Sequence, residues 1–178
     1  MREYTAPKYP GPAYFEGVCQ AIREAGRGDF MVSPGDLDPP APLRATMDQI
    51  LGKDYIWYPV VGNHDFEVPE HMQWLRAYNA GGRQLPGVVR AGPPSAVETC
   101  YSFDHRDAHF VAINQYYDGQ RDDVPEVAAI RDPLYDWLAA DLDANRKPSI
   151  FVIGHAPYLP TPDMDNGALR HLGESLDA

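Results

Sequence analysis

Residues able to bind metal ions follow three short apolar runs in this sequence, and a glycine precedes them each time. The runs end in Gly35-Asp36, in Gly62-Asn63-His64-Asp65 and in Gly154-His155. Carboxylate, amide oxygen and imidazole groups, without a thiolate, suit Mn, Fe, Zn or Mg ions. A glycine at each of these positions lets the backbone turn sharply and approach a ligand closely. The residue types therefore predict a metal site.

The three motifs differ in how strongly each one indicates chemistry. A Gly-Asp pair after a strand is usually a turn, and a single His after a strand is more often a structural residue than a ligand. The segment Gly62-Asn63-His64-Asp65 is different, because strong turn residues and a titratable ring occupy four consecutive positions. No structural demand calls for that set, so this segment carries most of the functional prediction.

The side chains in these motifs suit the cleavage of phosphate esters by two metal ions, which such sites hold about 3.5–4 Å apart. A carboxylate can bridge the ions, which activate a water molecule and screen the charge of the phosphate. A nearby His can stabilise the transition state or protonate the leaving oxygen. An acid beside that His would orient its ring.

Helical and extended patterns alternate along the chain, which predicts an α/β fold with a partly parallel sheet. Ligands of such sheets bind outside the carboxyl ends of the strands, so the three motifs could share one edge. A hairpin adds antiparallel strands and indicates a mixed sheet or two packed sheets. The predicted helices are Ala13–Ala25, Pro42–Leu51, Pro69–Tyr78 and one from Asp132; the strands are Phe30–Ser33, Ile56–Val61 and Ser149–Ile153; the hairpin joins Val97–Asp104 to Ala108–Gln115; and Ala80–Ser95 is a loop.

The composition is ordinary for one globular domain, with 178 residues, 44% of them hydrophobic and 23% charged. The net charge of -11 argues against a broad nucleic-acid-binding surface, and it means that a phosphate substrate would need cations in its site. No apolar run approaches the ~18 residues of a membrane span. The segment Met1 to Pro12 lacks the apolar core of a signal peptide, so we expect a cytoplasmic protein if Met1 is the true start.

In their order along the chain, the three motifs resemble those of the calcineurin-like metallophosphoesterase family. The stretches Tyr101-Ser102-Phe103 and His109 to Asn114 look like the central strand pair of that family, and Trp137 to Pro157 resembles its helix and later His motif. The resemblance covers most of the chain. It implies the calcineurin-like metallophosphoesterase fold, an α/β fold in which a mixed β-sandwich is flanked by helices in four layers, α/β/β/α, here as one domain over residues 1–178.

The resemblance also implies a role for each residue of the motifs. Asp36 would bridge two metal ions, Asn63 and His155 would bind the second ion, His64 would contact the phosphate and assist the leaving group, and Asp65 would orient His64. The implied function is hydrolysis of phosphate mono- or diesters in a small phosphorylated substrate, by a metal-activated water and with two Mn, Fe, Zn or Mg ions as cofactors. The alternative is a non-catalytic binding or scaffold protein with the same fold.

Two motifs of the family are not found in the chain, namely an Asp-x-His strand end before the first helix and a Gly-His-x-His segment after the last. Both supply ligands chiefly for the first metal ion, so we expect a partial domain, incomplete at both ends and a poor phosphoesterase by itself.

The remaining polar candidates have simpler interpretations. Asp38 is expected to be a turn residue, and the four other histidines are expected to be structural: His71, His105, His109 and His171. Asp122, Asp123 and Glu126 are expected to form a solvated loop, and Tyr158, Asp163 and Asp165 belong to a loop that could line the substrate cleft.

Overall fold

The computed structural model describes residues 11–124 and 130–156, in which two β-sheets pack between helices. The first sheet pairs β1 with β2, and the second has the strand order β3-β4-β5-β6. The helices are α1 (Gly11–Glu24), α2 (Pro40–Ile50), α3 (Pro69–Tyr78) and α4 (Asp132–Ala144), and a 3₁₀ turn spans Ala80–Gly82. The strands are β1 (Phe30–Ser33), β2 (Ile56–Pro59), β3 (Val88–Ala91), β4 (Tyr101–His105), β5 (Ala108–Ala112) and β6 (Ser149–Ile153).

Three hydrophobic clusters join these elements into four layers. The first packs helices α1 to α3 against the β1–β2 sheet, with Leu43 and Trp57 at its centre. The second lies between the two sheets, where the rings of Tyr58 and Phe103 stack with centroids 3.6 Å apart. The third lies between the β3–β6 sheet and α4. This order of helices, sheet, sheet and helix confirms the predicted α/β/β/α sandwich.

Parallel strand pairs direct the polar motifs to one end of the sandwich. β1 and β2 run parallel, so the segments that follow them leave the first sheet on the same side. β5 and β6 also run parallel, with Ala112 opposite Ile153 at their carboxyl ends. The segments after β1, β2 and β6 meet there, since Nδ1 of His155 lies 2.8 Å from the Pro34 carbonyl and Nε2 lies 3.1 Å from Asn63 Oδ1.

Several predicted elements match the structure closely. Strands Phe30–Ser33 and Ser149–Ile153 and helix Pro69–Tyr78 have the predicted ends, and the hairpin is the antiparallel β4–β5 pair, although both of its strands are shorter than predicted. The loop predicted over Ala80–Ser95 is wrong in part, because Val88–Ala91 forms β3. This four-residue strand lies at the edge of the sheet and is held by pairing with β4, a contact that its local sequence does not indicate.

Some sequence predictions lie outside the described residues. They concern the opening segment before Gly11, Glu126, the loop with Tyr158, Asp163 and Asp165, and the last helix with His171. In the part of the chain that the structure describes, no helix is both long and apolar enough to cross a membrane. Cys19 and Cys100 are buried free thiols, and burial raises their pKa values to about 11 and about 12.

Helix α4 is attached to the second sheet by a chain of buried polar side chains. The Nδ1 atom of His109 lies 2.7 Å from Asp104 Oδ1, and its Nε2 lies 2.8 Å from Asp141 Oδ2. The Ser102 hydroxyl donates to the other Asp141 oxygen at 2.7 Å. Burial disfavours a charged ring here, but the two carboxylates outweigh burial and raise the pKa of His109. With an acceptor at each nitrogen, the ring suits the doubly protonated imidazolium form.

We expect the contribution of His109 to stability to fall as the pH rises. A basic group whose pKa is raised by folding stabilises the protein fully below its unfolded-state pKa, about 6.5 for His, and this contribution is lost as the pH rises through the folded-state pKa. Urea unfolding of the wild type and His109→Gln at about pH 6 and about pH 9 measures it. The difference between the two free energies of unfolding should shrink at the higher pH. An equal difference at both pH values would contradict the imidazolium assignment.

Candidate metal centre

Two glycines let the loops after β1, β2 and β6 come into close contact. A Cβ on Gly35, whose φ is +100°, would lie 2.5 Å from Nδ1 of His155. A Cβ on Gly62 would collide with the backbone nitrogen of Asp36. Neither position can hold a side chain unless a loop that carries a predicted metal ligand moves. Glycine is therefore required at these two positions because one loop lies against another. This reason is more specific than the sharp turn that the sequence predicted.

Asp36, Asn63 and His155 come together where these loops meet. The Nε2 atom of His155 lies 3.1 Å from Asn63 Oδ1 and 3.4 Å from Asp36 Oδ1. The same Asp36 oxygen accepts the backbone N–H of His64 at 3.2 Å. Asp36 has a φ of +54°, a left-handed conformation that is uncommon outside glycine and often marks functional sites. The structure thus brings together the three residues predicted as metal ligands, which we call the ligand cluster.

The contacts of His155 suit a bound cation. Its Nδ1 lies 2.8 Å from the carbonyl oxygen of Pro34, and because a carbonyl only accepts, Nδ1 carries the hydrogen. Its Nε2 then faces the oxygens of Asn63 and Asp36, and this arrangement is attractive only with a proton or a cation between them. A backbone carbonyl that accepts from the second ring nitrogen is the usual support of a metal-binding His. The donor set therefore fits a divalent cation such as Mn, Fe, Zn or Mg.

The ligand cluster supplies one carboxylate, one imidazole and one amide. Within residues 11–124 and 130–156, no three His, Cys, Asp or Glu side chains are grouped so that they could hold a metal ion. The other described histidines have their own environments: His105 pairs with Asp29, His109 lies under α4, and His71 lies on α3. The ligand cluster is therefore the set of candidate ligands that the described residues bring together, and a carboxylate such as that of Asp36 can also bridge two ions.

Asp65 is fully buried and holds two loops together. Its Oδ1 accepts the N–H of Leu37 at 2.6 Å, and its Oδ2 accepts the N–H of Gly62 at 2.7 Å. Burial raises the pKa of Asp65 to about 7, and these two amides oppose the shift. Neither bond reaches the ring of His64, so the geometry differs from the orienting role that the resemblance implied. The physical reason is that two buried backbone amides need an acceptor, and Asp65 supplies it.

The ring of His64 has other acids beside it. Its Nδ1 lies 2.6 Å from Glu67 Oε1, an ion-pair distance without hydrogen-bond alignment. Burial raises the pKa of Asp38, and the nearby His64 opposes that shift. One buried oxygen of Asp38 has no hydrogen-bond partner in the described part of the chain. The sequence analysis assigned Asp38 to a turn and did not consider Glu67. The position of an acid three residues after His64 was the signal that could have indicated a contact between the two side chains.

Two further residues missed by sequence reasoning follow β5 at the same edge. The Oε1 atom of Gln115 accepts the N–H of Ala156 at 2.7 Å. The ring of Tyr116 lies 5.0 Å from that of Phe66 and 6.3 Å from that of His155. Burial, helped by the charges of nearby carboxylates, raises the pKa of Tyr116 to about 12, so its hydroxyl keeps its proton. The signal was available, since polar residues follow β5 as they follow the other strands at this edge.

Comparison with known proteins gives one match. The family model described as calcineurin-like phosphoesterase matches residues 10–177. That range includes all three residues of the ligand cluster together with His64 and Glu67. No curated protein and no solved structure matches the chain.

Proposed function

The chain belongs to the calcineurin-like phosphoesterase family, and we propose that it hydrolyses phosphate mono- or diesters at a metal site built on Asp36, Asn63 and His155. Membership supports a metal-dependent phosphoester hydrolase in general terms. The observation that carries the proposal is the position of His155 Nε2, 3.1 Å from the Asn63 oxygen and 3.4 Å from an Asp36 oxygen. A carboxylate, an amide oxygen and an imidazole from three separate loops converge there, as cation binding requires.

We assign Asp36 the role of shared ligand in a two-metal site, with Asn63 and His155 on the second ion. Bound metal ions in such a site activate a water nucleophile and neutralise the charge of the phosphate. The protein fixes its ligands through the backbone: the N–H of His64 bonds to Asp36, and the carbonyl of Pro34 bonds to His155. On a chain with a net charge of -11, cations also explain how an anionic substrate can bind.

His64 is the proposed group that contacts the phosphate and protonates the leaving oxygen. It belongs to the same loop as Asn63, and its backbone N–H bonds to Asp36, so it lies beside the ligand cluster. The carboxylate of Glu67 lies 2.6 Å from Nδ1, an ion-pair contact through which it would orient the ring and leave Nε2 for the substrate. We therefore give Glu67 the orienting role that the resemblance gave to Asp65.

A cavity of about 470 Å³ opens beside the loop that carries His64 and can accept the organic part of a substrate. Phe66 and Met72 contribute apolar surface to it, and Arg76 and Arg121, both paired with Asp123 of the same lining, contribute polar groups. Such a lining suits a leaving group with an apolar body and a polar end. We therefore propose a small phosphorylated molecule as the substrate.

The test of this proposal is turnover of 4-nitrophenyl phosphate and bis(4-nitrophenyl) phosphate by purified protein that a chelator has stripped of metal. We expect hydrolysis only after a divalent ion such as Mn²⁺ is added, because metal ions activate the water in such sites, and at a low rate because the described residues supply only part of a two-metal ligand set. The ratio of the two rates separates monoesterase from diesterase activity. Calorimetric binding of Mn²⁺ without turnover of either ester would favour the non-catalytic alternative, and the absence of both would contradict the proposal.

A further inference from the structure

The side chain of Gln115 pairs with the backbone of Ala156, the residue that follows His155. Its Oε1 accepts the N–H of Ala156 at 2.7 Å, and its Nε2 donates to the carbonyl oxygen of Ala156 at 3.5 Å. Gln115 is 1% exposed, so its amide makes these contacts out of reach of bulk water. A buried amide left without partners would be costly, which favours the paired conformation.

This pair extends the attachment of β6 to β5 beyond their strand pairing. The N–H of Ile113, the residue after β5, donates at 2.9 Å to the carbonyl of Ile153, the last residue of β6. Past this bond, the amide of Gln115 offers Ala156 one donor and one acceptor, as a neighbouring strand would. His155 therefore lies between two fixed points, the strand pairing at Ile153 and the amide contact at Ala156.

The amide of Gln115 occupies the space where a side chain on Gly154 would lie. A Cβ on Gly154 would lie 2.6 Å from Gln115 Oε1 and 3.2 Å from a side-chain carbon of Ile113. The glycine before His155 is therefore explained by close approach to Gln115. The side chain of Gln115 thus bonds to the residue after His155 and fills the space that a side chain on the residue before it would need.

We propose that Gln115 is a positioning residue for His155. It holds the segment from Gly154 to Ala156 so that Nδ1 of His155 stays 2.8 Å from the Pro34 carbonyl and Nε2 faces Asn63. The inference rests on the proposed function in one respect, that His155 binds a metal ion. Its measurable consequence is that loss of the Gln115 amide displaces a ligand and weakens metal binding.

Three variants separate positioning from general stability. Gln115→Leu keeps a similar size and removes both hydrogen bonds, whereas Gln115→Glu keeps an acceptor for the Ala156 N–H and loses only the longer bond. Tyr117→Phe is the matched control, because it removes a 2.7 Å bond from a side chain to the Pro94 carbonyl elsewhere in the fold. Should Gln115→Leu fail to fold, Gln115→Asn replaces it, since its amide is one methylene too short.

The experiment measures Co²⁺ affinity by calorimetry, the visible spectrum of bound Co²⁺ and the melting temperature of the metal-free protein. We expect Gln115→Leu to weaken Co²⁺ binding about 10–100-fold and to change the spectrum, as loss of support for a ligand does. Gln115→Glu should recover most of the affinity, and Tyr117→Phe should bind like the wild type even if its melting temperature falls.

Two outcomes would overturn the inference, and they differ in whether the proposed function also fails. If the wild type binds Co²⁺ and Gln115→Leu binds it with equal affinity and an unchanged spectrum, Gln115 is only structural and the proposed function stands. If the wild type binds neither Co²⁺ nor Mn²⁺, the proposed function itself fails, and the positioning role fails with it.

Discussion

Asp36→Ala is expected to lose both the bound metal ion and the hydrolysis of phosphate esters. Asp36 supplies the carboxylate of the ligand cluster, 3.4 Å from the nitrogen of His155. Its removal leaves Asn63 and His155, two ligands that carry no negative charge to hold a divalent cation. Because metal ions contribute several kcal/mol to such reactions, we expect turnover to fall on the order of 10³-fold or more.

Elemental analysis and turnover of 4-nitrophenyl phosphate measure this effect. Asp36→Asn is the informative companion, because its amide oxygen can still accept the N–H of His64 while the negative charge is gone. It should therefore fold like the wild type and still lose metal. Asp54→Ala, which removes an exposed acid paired with Arg27, should change neither quantity. Full metal content in Asp36→Ala would show that Asp36 is not a ligand.

His64→Ala is expected to reduce kcat by about 10²–10⁴-fold and to leave the metal ion bound, as is typical when a general acid is lost. The reason is that the backbone N–H of His64, which donates to Asp36, is kept in the variant. Turnover at saturating ester, together with metal content, measures the effect. Wild-type turnover in His64→Ala would rule out the acid role of this ring.

Substitutions at Glu67 and at Asp65 would show which of these two acids orients the ring of His64. Glu67→Gln should lower kcat by less than His64→Ala does and leave the free energy of unfolding nearly unchanged, since Glu67 lies at the surface. Asp65→Asn should mainly lower stability, because it disturbs bonds to the Leu37 and Gly62 amides that are worth about 1.5–3 kcal/mol each. A larger loss of kcat in Asp65→Asn, in a protein of unchanged stability, would support the role that the resemblance implied.

The sequence by itself determined the fold class and the main strands, and it selected Asp36, Asn63 and His155 as candidate metal ligands, a role that stays a prediction. These features depend on local patterns, in which an apolar strand ends in a glycine and a polar residue. A strand that ends in this way carries its polar residue at its carboxyl end, where ligands of α/β sheets bind. For this reason Asp36, Asn63 and His155 could be selected before their contacts were known.

Only the tertiary structure decided how those residues are supported. Strand β3 forms because β4 lies beside it, Glu67 rather than Asp65 contacts the His64 ring, and Gln115 holds Ala156 from the segment that follows β5. Each of these contacts depends on which backbone groups are left without partners once the sheets have packed. Hydrogen-bond demand of this kind is a property of the assembled layers, so residue types and spacing can point to candidate residues such as Glu67 and Gln115 but do not give the partners that these residues contact.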